Sequence, residues 1–274
     1  MILQCGRFKL DLSRPLIMGI VNVTPDSFSD GGLHATTEAA VAHGLCLIEE
    51  GADILDIGGE STRPGSLPVP LDEELKRVLP VLEGLNHANR PLSVDTQKPE
   101  VMREALRAGA SMVNDVNALA AKGALQTVAK SDAAVCMMHK QGEPLTMQAN
   151  PQYRDVVSEI KVFLASRVEA ALAAGVTRER IVIDPGFGFG KTVEHNLALL
   201  RNLEQFRGIG VPLLVGLSRK SALGKISGRE TGERIYSSLA AALIAVVKGA
   251  KILRVHDVQA TRDALAVYNA VNPE

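Results

Sequence analysis

Short apolar runs alternate with longer amphipathic stretches along almost the whole chain. Each short run is rich in Val, Ile and Leu and is continuously apolar, which is the pattern of parallel strands buried on both faces. Eight such strands are predicted, at Leu16–Val21, Ile54–Ile57, Leu92–Val94, Ser111–Val113, Ala134–Met138, Ile181–Ile183, Leu213–Leu217 and Lys251–Val255.

The stretches between these runs predict eight helices. The clearest is Tyr153–Ala174, in which apolar residues recur every three or four positions before Gly175. The other seven are predicted from Thr36 or Thr37 to about Glu50 and at Leu71–Leu85, Lys98–Ala108, Ala120–Ala129, Val193–Phe206, Thr231–Lys248 and Val258–Val271.

Eight strands, each followed by a helix, favour an α/β fold of the (β/α)8 TIM-barrel type, with an open doubly wound sheet as the alternative. The 274 residues suit one such barrel, so a single domain is expected over 1–274. Residues 1–12 carry Gly6 between two short segments, which predicts an N-terminal hairpin at the lower end of the barrel.

Composition excludes several classes of protein. Thirty Lys and Arg balance 31 Asp and Glu, and the chain has no Trp, so neither a basic nucleic-acid surface nor a base-stacking platform is expected. The longest apolar run, Leu239 to Val247, is about half a membrane span, and the charged N-terminus is not that of a signal peptide. Three widely spaced cysteines indicate neither disulfides nor a zinc site, so we expect a cytoplasmic protein.

Polar side chains follow every predicted strand. In a barrel of this type those positions meet at one end, where active sites lie. Carboxylates and an amide can bind the N–H and NH₂ groups of a ring edge, and cations suit phosphate oxygens, so a planar heterocycle bearing an anion is the expected ligand. The residues concerned include Asn22, Arg63, Asp95, Asn114, Asp184, Lys220, Arg254 and His256.

Two stretches resemble other motifs without matching them. The run from Asp184 to Thr192 ends like a phosphate-binding P-loop, but Pro185 stands at the first glycine position, so a nucleotide site is not expected there. Asp72, Glu73 and Glu74 are interpreted as the acidic first turn of a helix rather than a metal site.

The motifs resemble those of the bacterial dihydropteroate synthase family over nearly the whole chain. The resemblance rests on Asn22–Gly32, with Met18-Gly19-Ile20 before it, and on Asp53–Gly65. It implies a (β/α)8 barrel and a Mg²⁺-dependent transferase of folate biosynthesis that sulfonamides inhibit. Such an enzyme would join 6-hydroxymethyl-7,8-dihydropterin diphosphate to p-aminobenzoate, giving 7,8-dihydropteroate and pyrophosphate.

The resemblance also implies a role for individual residues. The pterin subsite falls on Asp95, Asn114, Met138, Asp184, Phe189 and Lys220, and the diphosphate subsite on Asn22, Thr62, Arg63, Arg254 and His256. The p-aminobenzoate subsite falls on Phe28, Thr62, Pro64, Lys220 and Ser221. Asn22 is the implied protein ligand of Mg²⁺, and Asp95, Lys220, Arg254 and His256 are the implied catalytic residues.

Two other functions remain open from the sequence, namely the pterin domain of a methyltetrahydrofolate:corrinoid methyltransferase and a pterin-binding paralogue without activity. The family implies a homodimer, and the helix Thr231–Lys248 is a candidate contact surface. The chain departs from the family at Lys140, where Met is common, and at Asn117, where some members have Arg.

Overall fold

Eight parallel strands close into a barrel in a computed structural model that describes residues 1–23, 37–61 and 65–272. The strands follow one another around the barrel in chain order, and the last pairs with the first. The prediction of a (β/α)8 TIM barrel is therefore confirmed, and the alternative of an open sheet is wrong.

The barrel strands are flanked by helices, and a two-stranded antiparallel hairpin precedes them. The strands are β1 (Ile2–Cys5), β2 (Phe8–Asp11), β3 (Leu16–Asn22), β4 (Ile54–Gly58), β5 (Leu92–Asp95), β6 (Met112–Asp115), β7 (Ala134–Met138), β8 (Ile181–Asp184), β9 (Leu213–Val215) and β10 (Ala250–Val255). The helices within the described residues are α1 (Thr37–Glu49), α2 (Leu71–Leu85), α3 (Pro99–Arg107), α4 (Ala124–Ala129), α5 (Val156–Ala173), α6 (Val193–Arg201), α7 (Ser221–Ser227), α8 (Ile235–Val247) and α9 (Val258–Val271).

Three predicted helices begin or end elsewhere for identifiable reasons. Helix α5 begins at Val156 rather than Tyr153 because the Asp155 side chain accepts hydrogen bonds from the backbone N–H groups of Val157 and Ser158 and so caps the helix. Helix α6 ends at Arg201, since Asn202 leaves helical geometry and a 3₁₀ segment follows. In the same way a 3₁₀ turn at Thr231–Glu233 precedes α8, which begins at Ile235.

Three further differences concern short elements. Helix α4 begins only at Ala124, because Gly123 before it has a φ of 95°, and the predicted start at Ala120 is wrong. Helix α7 has no counterpart among the predicted helices, since it is seven residues long and contains Gly224. The Ser111–Val113 strand in fact continues to Asp115, which places Asn114 inside the barrel wall rather than in the loop.

The N-terminal hairpin closes one end of the barrel, as expected. Its side chains Leu3, Cys5 and Leu12 are fully buried. They pack against barrel-interior residues contributed by the early part of the strands, among them Leu16, Ile54, Met112, Val182 and Ile252. This end of the barrel is therefore filled by apolar side chains and cannot hold a ligand.

Alternate residues of a strand face the same side of the sheet. The interior positions can therefore be followed along each strand, from the end closed by the hairpin toward the other end of the barrel. Ile54 is followed inward by Asp56, Met112 by Asn114, Val182 by Asp184, and Ile252 by Arg254. The barrel interior thus changes from apolar to charged within one step of two residues. Among the described residues, no helix has the length and apolar character needed to cross a membrane.

Candidate active site

The charged end of the barrel holds a buried network centred on Arg254. Its Nε donates to Asp56 Oδ2 at 2.6 Å, and its Nη2 donates to Asp95 Oδ2 at 2.8 Å. Asn114 Nδ2 donates to the same Asp56 oxygen at 2.9 Å. One set of charge-assisted hydrogen bonds therefore links side chains from four barrel strands, β4, β5, β6 and β10.

Burial governs the electrostatics of this network. Loss of hydration raises the pKa of Asp95 to about 7, although the Arg254 guanidinium opposes the rise and the Asp56 charge adds to it. The two carboxylates in turn raise the pKa of Arg254 despite its burial, so the guanidinium stays charged. Oδ1 of Asp95 and Oδ1 of Asp56 are buried and have no hydrogen-bond partner among the described residues. A buried acceptor of this kind is suited to an N–H donor on a ligand.

Asp184 is the third carboxylate of the site, at the last residue of β8. Its Oδ1 accepts a hydrogen bond from Gly186 N at 2.7 Å, which fixes the carboxylate plane. Burial raises its pKa to about 6, against the opposing effects of this hydrogen bond and of the Lys220 and Lys191 charges. Asp184 is therefore a buried, oriented acceptor within the field of nearby cations.

Lys220 and Phe189 lie against each other at the rim of the barrel. Lys220 Nζ is 4.1 Å from the centre of the Phe189 ring, which is a cation–π contact. Phe189 follows Asp184 in the same loop, so ring, ammonium and carboxylate border one space. Met138, buried at the end of β7, adjoins Asp184 across the strand pair.

The last two strands bring His256 and Arg219 to the same end. Ser218 Oγ accepts from His256 N at 3.2 Å and lies 3.0 Å from His256 Nδ1. If the Ser218 hydroxyl donates to Nδ1, the N–H of the His256 ring lies on Nε2. Arg219, with a φ of 57°, forms a paired contact with Asp257 at 2.8 and 3.2 Å, and this ties the loops after β9 and β10 together.

A second buried network, which sequence reasoning missed, lies beside Asp95. Lys98 Nζ donates to Glu60 and to Glu74, and Thr96 Oγ1 donates to Glu74 Oε1 at 2.6 Å. Glu74 is fully buried, so the interpretation of Asp72, Glu73 and Glu74 as only an acidic helix start is incomplete. Within the described residues no cluster of three or more His, Cys, Asp and Glu side chains could hold a metal ion.

The structure describes ten of the fourteen site residues named from the sequence. It joins Asp95 to Arg254 directly, Asn114 to both through Asp56, and Phe189 to Lys220. Ser221 is the exposed first residue of α7, and Asn22 is the half-buried last residue of β3. Phe28, Thr62, Arg63 and Pro64 lie outside the described residues.

Asp56 is the most important residue that the sequence analysis overlooked. A carboxylate inside the apolar run Ile54–Ile57 was a usable signal, since such a residue faces either the barrel interior or the helix layer.

The two positions that depart from the family pattern make local contacts. Lys140 Nζ donates to Gln97 Oε1 at 3.3 Å and to Glu143 Oε2 at 3.2 Å. Asn117 N donates to Asp115 Oδ1 at 2.7 Å.

Comparison with known proteins gives this arrangement a family. The model of the pterin binding enzyme family matches residues 18–256. A dihydropteroate synthase of Haemophilus influenzae is 52% identical over 262 residues, covering 95% of each chain. The chain belongs to the dihydropteroate synthase family.

Solved structures of this family have the same fold. The dihydropteroate synthase of Xanthomonas albilineans with 4-aminobenzoic acid superposes with a TM-score of 0.94 at 55% identity, covering 100% of this chain and 98% of that one. The Xanthomonas albilineans enzyme in complex with 7,8-dihydropteroate gives a TM-score of 0.91 at 53% identity, with 100% of both chains covered. The resemblance drawn from the two sequence motifs is thereby confirmed.

Proposed function

We propose that this chain is a transferase that condenses 6-hydroxymethyl-7,8-dihydropterin diphosphate with p-aminobenzoate, releasing pyrophosphate and forming 7,8-dihydropteroate for folate synthesis. The observation that carries the proposal is the buried network of Arg254, Asp95, Asp56 and Asn114, with an acceptor oxygen of Asp95 that has no partner among the described residues. Two solved structures similar to this chain are complexes of a dihydropteroate synthase, one with 4-aminobenzoic acid and one with 7,8-dihydropteroate.

The pterin is assigned to the space between Asp95, Asn114 and Asp184. Carboxylates accept N–H bonds, and the ring edge of a dihydropterin offers both a ring N–H and an amino group. Asp184 is oriented for this by Gly186 N, and Met138 and Phe189 supply apolar surface for the ring faces. Lys220, held over Phe189, completes this subsite and borders the p-aminobenzoate subsite with Ser221.

The diphosphate is assigned to Arg254 and His256, together with Asn22 and the loop residues Thr62 and Arg63. Arg254 donates two of its five N–H groups to Asp56 and Asp95, and these bonds fix the position of the guanidinium. The remaining donors are assigned to the departing pyrophosphate. His256, whose Nδ1 lies 3.0 Å from Ser218 Oγ, is assigned as a further donor through Nε2. The remaining p-aminobenzoate contacts are assigned to Phe28, Thr62 and Pro64.

Mg²⁺ is the metal that the family implies, and the donor set fits it. Asn22 offers one neutral amide oxygen at the end of β3, and Mg²⁺ usually takes one or two protein ligands with phosphate oxygens and waters. The lack of a carboxylate and histidine cluster among the described residues agrees with a metal held mainly by substrate. When bound, Mg²⁺ would neutralise charge on the diphosphate.

In the reaction we assign, the bond between the pterin methylene carbon and the diphosphate oxygen breaks ahead of C–N bond formation. The bond electrons leave with pyrophosphate, which Arg254 and His256 stabilise. Asp95, beside the ring, stabilises the positive charge that the ring takes up. The aryl amine then attacks the methylene carbon and releases one proton to the departed pyrophosphate or to water. Because the amine is neutral before attack, positioning rather than a strong base carries the rate.

A homodimer is proposed from one face of α8. Tyr236, Ala240, Ile244 and Val247 are exposed at helical spacing on this face, and Tyr236 is 81% exposed. Val267 and Val271 of the neighbouring α9 extend the apolar surface. A Val247→Glu variant should sediment as a monomer, whereas Val162→Glu on α5 should leave the oligomeric state unchanged. A wild-type monomer at micromolar concentration would exclude the dimer.

The proposed activity is tested by measuring pyrophosphate release from pterin diphosphate with Mg²⁺. Release should require p-aminobenzoate and should be inhibited competitively by a sulfonamide. Release that does not depend on p-aminobenzoate would exclude this reaction. Tight pterin binding without any release would indicate the paralogue without activity.

A further inference from the structure

Lys191 is a buried ammonium beside the site to which the proposed reaction assigns no role. Its side chain lies in the loop after β8 and is 3% exposed. Nζ contacts three neutral acceptors, namely Phe189 O at 3.0 Å, His139 Nδ1 at 3.1 Å and His139 O at 3.4 Å. An ammonium has three N–H donors and no acceptor, so the three contacts match its capacity.

The protonation state of His139 is consistent with this arrangement. As an ammonium, Nζ can only donate, so Nδ1 of His139 accepts and the N–H of the ring lies on Nε2. Burial lowers the pKa of His139 to about 3, and the Lys191 charge lowers it further. The ring is also held edge-on against Phe163, with ring centres 5.0 Å apart.

The two segments that Lys191 joins are the ones that flank the pterin subsite. His139 directly follows Met138 at the end of β7, and Phe189 carries the ring that lies under Lys220. Their backbones come unusually close, since a Cβ on Gly186 would lie 1.9 Å from His139 O and one on Gly190 would lie 2.2 Å from Gln141 O. Both glycines also have positive φ, so the run that resembles a P-loop serves backbone packing.

We infer that Lys191 is a positioning residue for the pterin subsite: its ammonium fixes the spacing between the Met138–His139 segment and Phe189. The inference rests on the proposed function for the identity of the ring. The inference gives a reason for a buried lysine at this position. Burial lowers the pKa of Lys191 to about 7, the Asp184 charge opposes that shift, and the Lys220 charge adds to it. The lysine of this motif thus binds backbone carbonyls and an imidazole, not a phosphate.

The test substitutes Lys191→Met, which keeps most of the side-chain length and removes all three donors. The dissociation constant of 6-hydroxymethyl-7,8-dihydropterin diphosphate, measured by calorimetry without p-aminobenzoate, should rise about tenfold, as expected for a displaced binding group. KM for pterin diphosphate should rise more than KM for p-aminobenzoate. Lys130→Met, an exposed lysine at the end of α4, is the matched control and should leave both constants unchanged.

Two measurements separate positioning from a purely structural role. Thermal unfolding of the ligand-free variants reports stability, and calorimetry reports the affinity of the folded fraction. A Lys191→Gln variant keeps two N–H donors and should recover part of the lost affinity. A folded Lys191→Met with wild-type pterin affinity overturns the inference, as does failure of both Lys191 variants to fold, which would assign Lys191 to stability alone. Wild-type protein without pterin affinity would instead refute the proposed function.

Discussion

The two ends of the barrel interior are formed by the same strands, and carboxylates at one end are as deeply buried as apolar residues at the other, but their chemistry is opposite. At the end closed by the hairpin, Ile54, Met112 and Ile252 are fully buried among apolar neighbours. Two residues further along the same strands, Asp56, Asn114 and Arg254 form a charged network. Burial alone therefore does not distinguish the stable end from the reactive end.

The difference lies in how the buried groups are satisfied. The apolar end gains stability from burial, and its thiol Cys5, whose pKa burial raises to about 11, remains neutral. The charged end depends on mutual pairing, because an isolated buried charge is costly, and two of its carboxylate oxygens have no partner among the described residues. Part of the stability of this end is thus given up for ligand binding.

The largest effect is expected for Arg254→Met. The variant removes both ion pairs and the assigned leaving-group cation, so turnover should fall about a thousandfold. The free energy of unfolding should fall by about 3 kcal/mol at pH 8, since two buried carboxylates lose their counter-charge. Denaturant unfolding at two pH values checks this prediction.

The pH dependence of that loss has a definite sign. Without Arg254 the folded-state pKa of Asp95 rises further above that of the unfolded chain, so the folded state binds protons more strongly. The destabilisation should therefore be smaller at pH 5.5 than at pH 8. An equal loss at both pH values would mean that the network is not held by charge.

At the apolar end, Leu3→Ala should cost about 3 kcal/mol of unfolding free energy, because the side chain is fully buried in the plug. kcat and KM should remain unchanged, since the plug lies at the end opposite the site. Ile2→Ala is the matched control, because Ile2 belongs to the same strand but is 46% exposed, and it should cost less than about 1 kcal/mol. A large kinetic effect of Leu3→Ala would show that the two ends are coupled.

Asp95→Asn should separate stability from activity. Turnover should fall about a hundredfold, because the amide cannot stabilise a positive ring. Wild-type Asp95 has a folded-state pKa raised to about 7, so it removes stability as the pH rises from about 4 through 7. Relative to wild type, the variant should thus become more stable as the pH rises across that range. Undiminished turnover would remove Asp95 from its assigned role.

The smallest effect is expected for Ser218→Ala. Loss of the hydroxyl leaves His256 Nδ1 without the contact that selects the Nε2–H form, so kcat should fall about tenfold. KM should change little, because the substrate does not contact Ser218 in the proposed arrangement. Ser166→Ala removes an exposed hydroxyl on α5 that bonds only within its helix, and its kinetics should match wild type.

Much of the barrel could be predicted from the sequence because its signals are local. Continuous apolar runs identify buried parallel strands, and amphipathic spacing identifies the helices between them. The rule that strand ends meet at one face then places Asp95, Asn114 and Asp184 together. The predicted start of α5 was wrong because the Asp155 side chain caps the helix, and α7 was not predicted because it is short.

The partners within the site could not be predicted in this way. Asp56 and Arg254 are 198 positions apart, and Asp95 and Arg254 are 159 apart. Nothing in the local pattern around Asp56 indicates which cation it meets, or that Asn114 bonds the same oxygen. Lys191 and His139 are likewise joined only because two loops pack backbone against backbone at Gly186 and Gly190.

The sequence by itself thus determined the strand order, the barrel and the end at which the polar side chains gather, since each depends on short-range periodicity and on the direction of parallel strands. Closure of the barrel decided the rest. It set which buried charges neutralise one another, which buried carboxylate oxygens have no partner among the described residues, and which lysine contacts a loop rather than a phosphate. Those properties depend on distances across the barrel, and only the folded chain defines them.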